Sequence, residues 1–304
     1  MFMRILLQFP QGLKQFALAE SAKFEKEGHE VFLSATPCWG ACDLALEEAK
    51  KTGAQKLVHY GHCKYHEVTE KGLEIEYRLY PIDADLQILK SSLEKINQYK
   101  KIGVVTTVSH IHQLDEMKKM LKAAGHEILT SKGSLAIMDG QILGCDASAA
   151  SKLAPKVDAI VYVGGGEFHP LGIDASKPIL AINPYANESY FLNKQIEEKR
   201  KKQLGMLIAC SQAKRIGILV SIKSGQFSLK AAEAAKARLK ELGKSPSILV
   251  TGEVDFDSLK DFNSFDAYIT TACPRLTDDS ERIGKPIINM AQLPALFSLI
   301  KESK

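Results

Sequence analysis

Three short apolar runs, each entered from a basic residue, recur along this chain: Met3-Arg4-Ile5-Leu6-Leu7, Lys101-Ile102-Gly103-Val104-Val105 and Arg215-Ile216-Gly217-Ile218-Leu219. No other feature restricts the fold as much. A unit repeated at long spacing is one supersecondary module that buries its faces the same way each time. Runs of this length and apolarity predict parallel strands covered on both faces. A helical stretch follows each one: Leu13 to Gly28, Gln113 to Gly125 and Ser228 to Gly243, with Gly28 read as a C-cap. A second strand comes next. In the first two units it opens with the same words, Gly28-His29-Glu30 and Gly125-His126-Glu127, displaced by 97 residues like the strands before them. The third unit's counterpart is Ser247-Ile248-Leu249-Val250-Thr251-Gly252.

The second half of each unit carries a cysteine. Cys42-Asp43 and Cys145-Asp146 each open a stretch read as a helix, ending near Gly53 and Pro155. A third strand follows, Leu57 to Gly61 and Ala159 to Gly164. Gly61 and His66 lie 19 and 24 residues beyond Cys42, and Gly164 and His169 lie equally far beyond Cys145. Tyr65 aligns with Phe168. The displacement here is 103, so the second unit holds six further residues before its cysteine. In the third unit, Asp266 to Thr271 aligns with Asp158 to Val163 at a displacement of 108, which sets Cys273 opposite Gly165. Its thiol therefore follows the unit's third strand rather than its second. All three thiols are expected beyond strand C-termini, the edge at which open parallel sheets bind ligands.

Strands alternating with helices predict an α/β chain of three similar parallel-sheet domains, arising by internal triplication and set in a pseudo-threefold arrangement. The boundaries are placed at 1–98, 99–188 and 189–304, with helical connectors from Leu86 to Tyr99 and from Ser189 to about Ser211. The formal net charge is +4, from 40 basic and 36 acidic residues, which argues against nucleic acid and membrane surfaces as partners. The basic run Lys199-Arg200-Lys201-Lys202 follows Glu197-Glu198 and reads as a solvated helix face. No stretch approaches the ~20 apolar residues of a membrane span. The chain enters a strand at once, so no signal peptide is expected. Six cysteines in such a chain point to a reducing, cytoplasmic compartment, where thiols are metal ligands, nucleophiles or core residues.

A thiol just ahead of a helix meets free N–H groups and the positive end of the helix dipole, both of which favour thiolate. Asp43 and Asp146 are expected to cap those same helices. Three thiolates with no adjacent fourth ligand suit an iron–sulfur cluster with one iron left open, whereas structural zinc takes a closed set of four. A lone cysteine is more often a buried core residue. Matched positions across the repeats reverse that preference for Cys42, Cys145 and Cys273, which are expected to converge on one centre. The other three have no such support. Cys38 lacks a partner in the second unit. Cys63 lies in His59-Tyr60-Gly61-His62-Cys63-Lys64-Tyr65-His66, which superficially resembles a zinc cluster. His59 aligns with Tyr162 and Cys63 with Gly166, so the repeat speaks against that reading. Cys210 is expected in the core.

Five segments carry a family resemblance: Gln8-Phe9-Pro10-Gln11-Gly12-Leu13, Trp39-Gly40-Ala41-Cys42-Asp43, Leu143-Gly144-Cys145-Asp146, Gly164 to Gly172, and Thr271-Ala272-Cys273-Pro274-Arg275. Together, and over essentially the whole chain, they resemble the archaeal diphthamide synthases that act first in that pathway, the 2-(3-amino-3-carboxypropyl)histidine synthases. The resemblance implies a homodimer of three-domain subunits, with one cysteine per domain (by motif match Cys42, Cys145 and Cys273) holding a 4Fe–4S cluster. It implies transfer of a 3-amino-3-carboxypropyl group from S-adenosylmethionine to a histidine of translation elongation factor 2, with an electron donor as a further partner. The chemistry is similar to that of radical-SAM enzymes without their clustered three-cysteine motif, which this chain also lacks. Reductive cleavage would break the sulfonium bond to the γ-carbon, and positioning would decide which bond breaks.

No catalytic side chain is singled out, but several residues are candidates for holding the cofactor. Gly164 and Gly165, with Gly166, follow a strand and either let backbone approach the cofactor or form a plain turn. Gln8 and Gln11 end the first strand and either bond the cofactor or cap a loop. Arg275 either pairs a carboxylate bidentately or makes an ordinary salt bridge. Glu167 and His169 either orient a bound molecule or, as His66 at the matching position suggests for His169, serve the structure. Two alternatives stand beside this reading: a quinolinate synthase-like 4Fe–4S enzyme, also triplicated, and a non-enzymatic module that binds a small ligand.

Overall fold

A computed structural model describes residues 2–64, 66–174 and 176–302 and contains three sheets built to one plan. Tyr65, aligned above with Phe168, lies outside the described residues. In the first sheet β1 (Arg4–Gln8), β2 (Glu30–Leu33), β3 (Lys56–Tyr60) and β4 (Glu74–Arg78) run parallel in the order β2-β1-β3-β4. The second comprises β5 (Lys101–Thr106), β6 (Glu127–Leu129), β7 (Ala159–Val163), β8 (Ile179–Asn183) and β9 (Glu188–Phe191). Its order is β6-β5-β7-β8-β9, and only β9 is antiparallel. The third holds β10 (Arg215–Ser221), β11 (Ser245–Thr251), β12 (Ala267–Thr270) and β13 (Ile287–Asn289), parallel in the order β11-β10-β12-β13. The three opening runs are thus central strands of three like sheets.

Alternate residues of those strands feed two separate cores per sheet. In the first sheet, Ile5, Leu7, Val58 and Tyr60 pack with Phe24 of helix α1 (Ala17–Lys26). Leu6 and Leu57 point the other way, toward Ala49 of α2 (Leu46–Thr52). In the second, Ile102, Val104, Val161 and Val163 meet Ile88 and Leu89 of α3 (Gln87–Ser91) and Met117 and Leu121 of α4 (Leu114–Ala123). On the reverse face Val105, Ile160 and Tyr162 meet Ala150 and Leu153 of α5 (Ser148–Leu153), together with Leu192 and Ile196. Helix α6 (Asn193–Gln212) leads to the third sheet. There Ile216, Ile218 and Ile269 pack with Ala235 and Leu239 of α7 (Leu229–Glu241), while Leu219, Tyr268 and Ile287 pack with Leu259 of α8 (Phe256–Asp261). The short α9 (Ser280–Ile283) and the closing α10 (Leu293–Glu302) each cover one of these two faces. Full burial of each Ile, Leu or Val contributes roughly 1.5–3 kcal/mol, which is why every loop is driven off the sheet faces to its two edges.

By packing the chain divides into two compact units, Met1–Ile196 with the first two sheets and Glu197–Lys304 with the third. Some expected helices differ in detail. Leu13 to Gly28 forms a 3-10 turn over Gln11–Phe16 before α1, and a 3-10 turn over Val108–Gln113 likewise precedes α4. The stretch from Leu86 to Tyr99 is no single helix but α3 followed by a 3-10 turn, Leu93–Lys95. Ser189 belongs to β9, where the extended run Glu188–Phe191 pairs with β8, so the second connector begins as a strand and its helix starts at Asn193.

A small polar clasp repeats with the sheets. Asp158, just ahead of β7, accepts the N–H groups of Lys100 (3.0 Å) and Lys101 (2.8 Å) at the start of β5. Asp266, just ahead of β12, accepts those of Lys214 (3.1 Å) and Arg215 (2.7 Å) at the start of β10. In the first unit the amide oxygen of Gln55 takes the N–H of Arg4 at 2.9 Å. The N–H of Lys101 and that of Arg215 are the main causes holding Asp158 and Asp266 below the ordinary carboxylate range.

Two outcomes follow from this packing. A depressed native pKa stabilises the fold above the unfolded pKa, and that contribution is lost as pH falls through it. The melting temperature of an Asp158→Asn, Asp266→Asn protein should therefore depend less on pH than the wild type's between about pH 2 and 5. Leu121, fully buried on α4, should cost about 2–5 kcal/mol in urea unfolding when replaced by Ala.

Candidate metal centre

The loop that carries Cys42 is built on one buried side chain. Gln8, at the end of β1, is 1% exposed. Its Nε2 donates to the carbonyl of Asp43 (2.7 Å), and its Oε1 accepts the N–H of Ala45 (3.2 Å). Backbone groups that a helix starting at Cys42 would use are thereby engaged, and α2 begins only at Leu46. Asp43 is no cap. Its Oδ2 accepts the N–H of Trp39 at 3.3 Å, and Ala45, the residue before α2, provides no side-chain cap. Cys145 stands likewise ahead of α5, which starts at Ser148. Asp146 does serve that helix, accepting the N–H of Ser148 at 2.9 Å and that of Leu135 at 2.6 Å. Burial works to raise its pKa, but its hydrogen bonds prevail and hold the carboxyl low. Helices of seven and six residues that begin past the thiol give it little dipole support, contrary to the sequence-based expectation. Cys273 directly precedes a 3-10 turn, Pro274–Asp279, with extended backbone (φ −65°, ψ 123°).

Exposure separates the six cysteines, all of which are thiols. Cys145 is exposed and Cys42 and Cys273 are half-buried, whereas Cys38, Cys63 and Cys210 are buried. Burial pushes the Cys210 thiol up to about 12. Cys63 is also raised by burial, and the amide of Gln141 approaches its sulfur at 3.6 Å. The three thiols matched by the repeat are the three that are not buried. Each lies past a strand C-terminus of its own sheet. Three accessible thiol donors without a fourth fit a cubane cluster that keeps one iron open.

The glycine-rich segment touches the second thiol's loop. A Cβ on Gly144 would overlap the ring of Phe168, so glycine beside Cys145 is what lets that ring settle there. The Phe168 ring in turn packs edge-on to His169 at 5.3 Å. Gly164 is also a close approach, since a Cβ there would lie 2.5 Å from the Tyr162 hydroxyl. Gly165 is exposed beyond it, against the ring of Tyr185. The carboxylate of Glu167 lies beside Tyr190, whose hydroxyl is pushed up to about 12 by burial first and by Glu167 second. Gln11 is exposed at the first residue of its 3-10 turn. Arg275 donates through Nε to Asp278 at 2.6 Å. Lys199 pairs with the same carboxylate at 2.9 Å, and it is partly buried rather than wholly solvated as its basic run suggested.

Comparison with known proteins identifies the fold and the family. A family profile described as "Putative diphthamide synthesis protein" matches residues 9–304. The chain belongs to that diphthamide synthesis family. It is 34% identical over 307 aligned residues to the 2-(3-amino-3-carboxypropyl)histidine synthase of Pyrococcus horikoshii, covering 98% of this chain and 87% of that protein. It is 28% identical to subunit 1 of the corresponding synthase of Caenorhabditis elegans, over 93% of this chain and 73% of that one. Crystal structures of Dph2 from Pyrococcus horikoshii superpose with a TM-score of 0.86, and of 0.84 for the form with a 4Fe–4S cluster. Each is 33% identical and covers 98% of this chain and 86% of its own. Membership of this family sets aside the quinolinate synthase and binding-module readings.

The exposure order predicts reactivity. In iron-free protein, timed alkylation followed by peptide mass spectrometry should label Cys145 first, Cys42 and Cys273 next, and Cys38, Cys63 and Cys210 last. Early labelling of Cys210 would contradict the burial described.

Proposed function

We propose that this chain is a 2-(3-amino-3-carboxypropyl)histidine synthase that moves a 3-amino-3-carboxypropyl group from S-adenosylmethionine to a protein histidine. The protein substrate is translation elongation factor 2, and the product is the first intermediate of diphthamide. The observation that carries the proposal is the likeness to the Pyrococcus horikoshii synthase across 98% of the chain, joined to three accessible thiols at sheet edges. Cys42, Cys145 and Cys273 hold a 4Fe–4S cluster, one from each of three domains that carry one sheet apiece, with β9 belonging to the second. Two such chains form a homodimer that works in the cytoplasm with a separate electron donor. No helix among the described residues is long and apolar enough to cross a membrane, which is compatible with that assignment.

When bound and reduced, the cluster supplies the electron that cleaves a sulfonium carbon–sulfur bond. The chain's own task is placement. Gln8 ties the Cys42 loop to the end of β1 by two hydrogen bonds, and Phe168 on Gly144 steadies the loop of Cys145. The exposed turn at Gly165 and Gly166 offers backbone to a nucleoside or amino-acid group, flanked by Glu167 and His169. Gln11 begins the 3-10 turn beyond β1 at the same edge as Gln8. Arg275, oriented by Asp278, is the guanidinium suited to the carboxylate of S-adenosylmethionine.

Anaerobic reconstitution should yield a brown protein with about four irons per chain. With S-adenosylmethionine and a reductant it should release methylthioadenosine and modify elongation factor 2. Changing Cys42, Cys145 or Cys273 to Ala should abolish both cluster and turnover, while Cys63→Ala and Cys210→Ala proteins should keep their iron. A complete cluster in the Cys145→Ala protein would refute the ligand assignment.

A further inference from the structure

The first unit contains a second constellation of metal-binding side chains that the cluster does not use. The donor atoms of Cys38, His59 and His62 all lie within 4.8 Å of one another. Cys38 belongs to the loop before α2. His59 is the fourth residue of β3, and His62 follows that strand's end. Cys38 is 5% exposed and His59 is fully buried. The second unit has no counterpart to a zinc site in this segment, and the Cys63 sulfur lies 3.6 Å from the Gln141 amide. Cys38, four residues before Cys42, takes its place.

The state of the His59 ring is defined by its neighbours. Gln8 donates through Nε2 to Asp43, so its Oε1 is turned toward Nδ1 of His59 at 2.8 Å and must accept a proton from it. That fixes the His59 tautomer, with the Nε2 lone pair directed outward. Nε2 lies 3.0 Å from Nδ1 of His62. An imidazole whose far N–H is held by an amide oxygen is the arrangement that orients metal-bound histidines. Burial first, and the partner ring second, lowers His59 to about 3, and burial lowers His62 to about 4. Both rings are therefore neutral ligands at neutral pH. Tyr77 packs edge-on to His59 at 5.6 Å, and its hydroxyl is buried without a hydrogen-bond partner. A tetrahedral ion with bonds of about 2.0–2.1 Å to nitrogen and 2.3 Å to sulfur spaces its donors by roughly 3.3–3.6 Å, so small side-chain rotations complete the site.

We propose that Cys38, His59 and His62 bind one divalent zinc ion, with water as the fourth ligand, and so fasten the loop bearing Cys42 to the end of β3. Thiolate with two imidazoles is a borderline-soft set suited to zinc. Binding forms one Zn–S and two Zn–N bonds and releases the thiol proton of Cys38 to solvent.

The site is separable from the iron centre. The full-length Cys42→Ser, Cys145→Ser, Cys273→Ser protein holds none of the three thiols assigned to the cluster. Titrated anaerobically with Co2+, it should bind one equivalent, with the visible bands of four-coordinate cobalt and a sulfur-to-cobalt charge-transfer band. Zn2+ should displace the cobalt stoichiometrically. Adding Cys38→Ser should remove the charge-transfer band, and adding His62→Ala should weaken Zn2+ binding by more than the ~10–100-fold typical of lost outer-sphere support. Metal analysis of otherwise wild-type protein supplies a second arm: one zinc beside the cluster iron, and no zinc but undiminished iron in Cys38→Ser. Absence of Co2+ binding in folded protein, or a charge-transfer band that survives Cys38→Ser, would overturn the site. Wild-type protein that carries both zinc and a full cluster yet fails to modify elongation factor 2 would instead count against the proposed transferase function alone.

Discussion

Burial of both faces of a short parallel strand pair is the constraint from which this structure follows. Ile5 and Leu7 face one core and Leu6 the other, and the same division recurs at Ile102, Val104 and Val105 and at Ile216, Ile218 and Leu219. Parallel strands need crossovers, and two-sided burial obliges those crossovers to be helices on both faces. Polar loops can then emerge only at the sheet edges. The edge at the strand C-termini receives the end of β1 with Gln8, and the loops that follow β2, β6 and β12 with the three accessible thiols.

Within that frame, one polar residue carries unusual weight. A buried amide costs free energy unless its groups are bonded. Gln8 meets the requirement with three partners, Asp43, Ala45 and His59. In doing so it delays the start of α2, fixes the His59 tautomer and anchors the loop between them. The equivalent position in the second unit is Val105, which packs into an apolar core, and the residue opposite is Tyr162 rather than a histidine. The two units share a scaffold and differ in what their strand ends hold.

This difference explains what could be read from the sequence. Strand runs, their order along each unit and the three matched thiols were legible, because repetition amplifies whatever the units share. The helix starts at Cys42 and Cys145 were misjudged, because an Asp beside a thiol looks like a cap until Gln8 and Leu135 are seen to take part. The clasps at Asp158 and Asp266 carried a signal, an Asp just ahead of each third strand, that an aligned reading could have used. The Cys38–His59–His62 grouping was hidden by the same comparison that matched Cys42, Cys145 and Cys273. Its members align with Gln141, Tyr162 and Gly165, so a test for repetition counts against them. Repeats expose common chemistry and conceal chemistry private to one unit.

Environment then divides the six thiols into distinct chemical groups. Cys210 is enclosed by side chains of α7, α10 and the third sheet, where burial disfavours thiolate and leaves it an apolar packing residue. Cys63 is buried against an amide, which satisfies its sulfur without activating it. Cys42, Cys145 and Cys273 are at least partly open to solvent. Cys38 combines burial with two imidazoles whose ring nitrogens lie within 4.8 Å of its sulfur. Sequence spacing treats Cys38 and Cys42 as neighbours four residues apart. Their surroundings differ nonetheless: Cys38 is buried beside two histidines, and Cys42 is partly open to solvent.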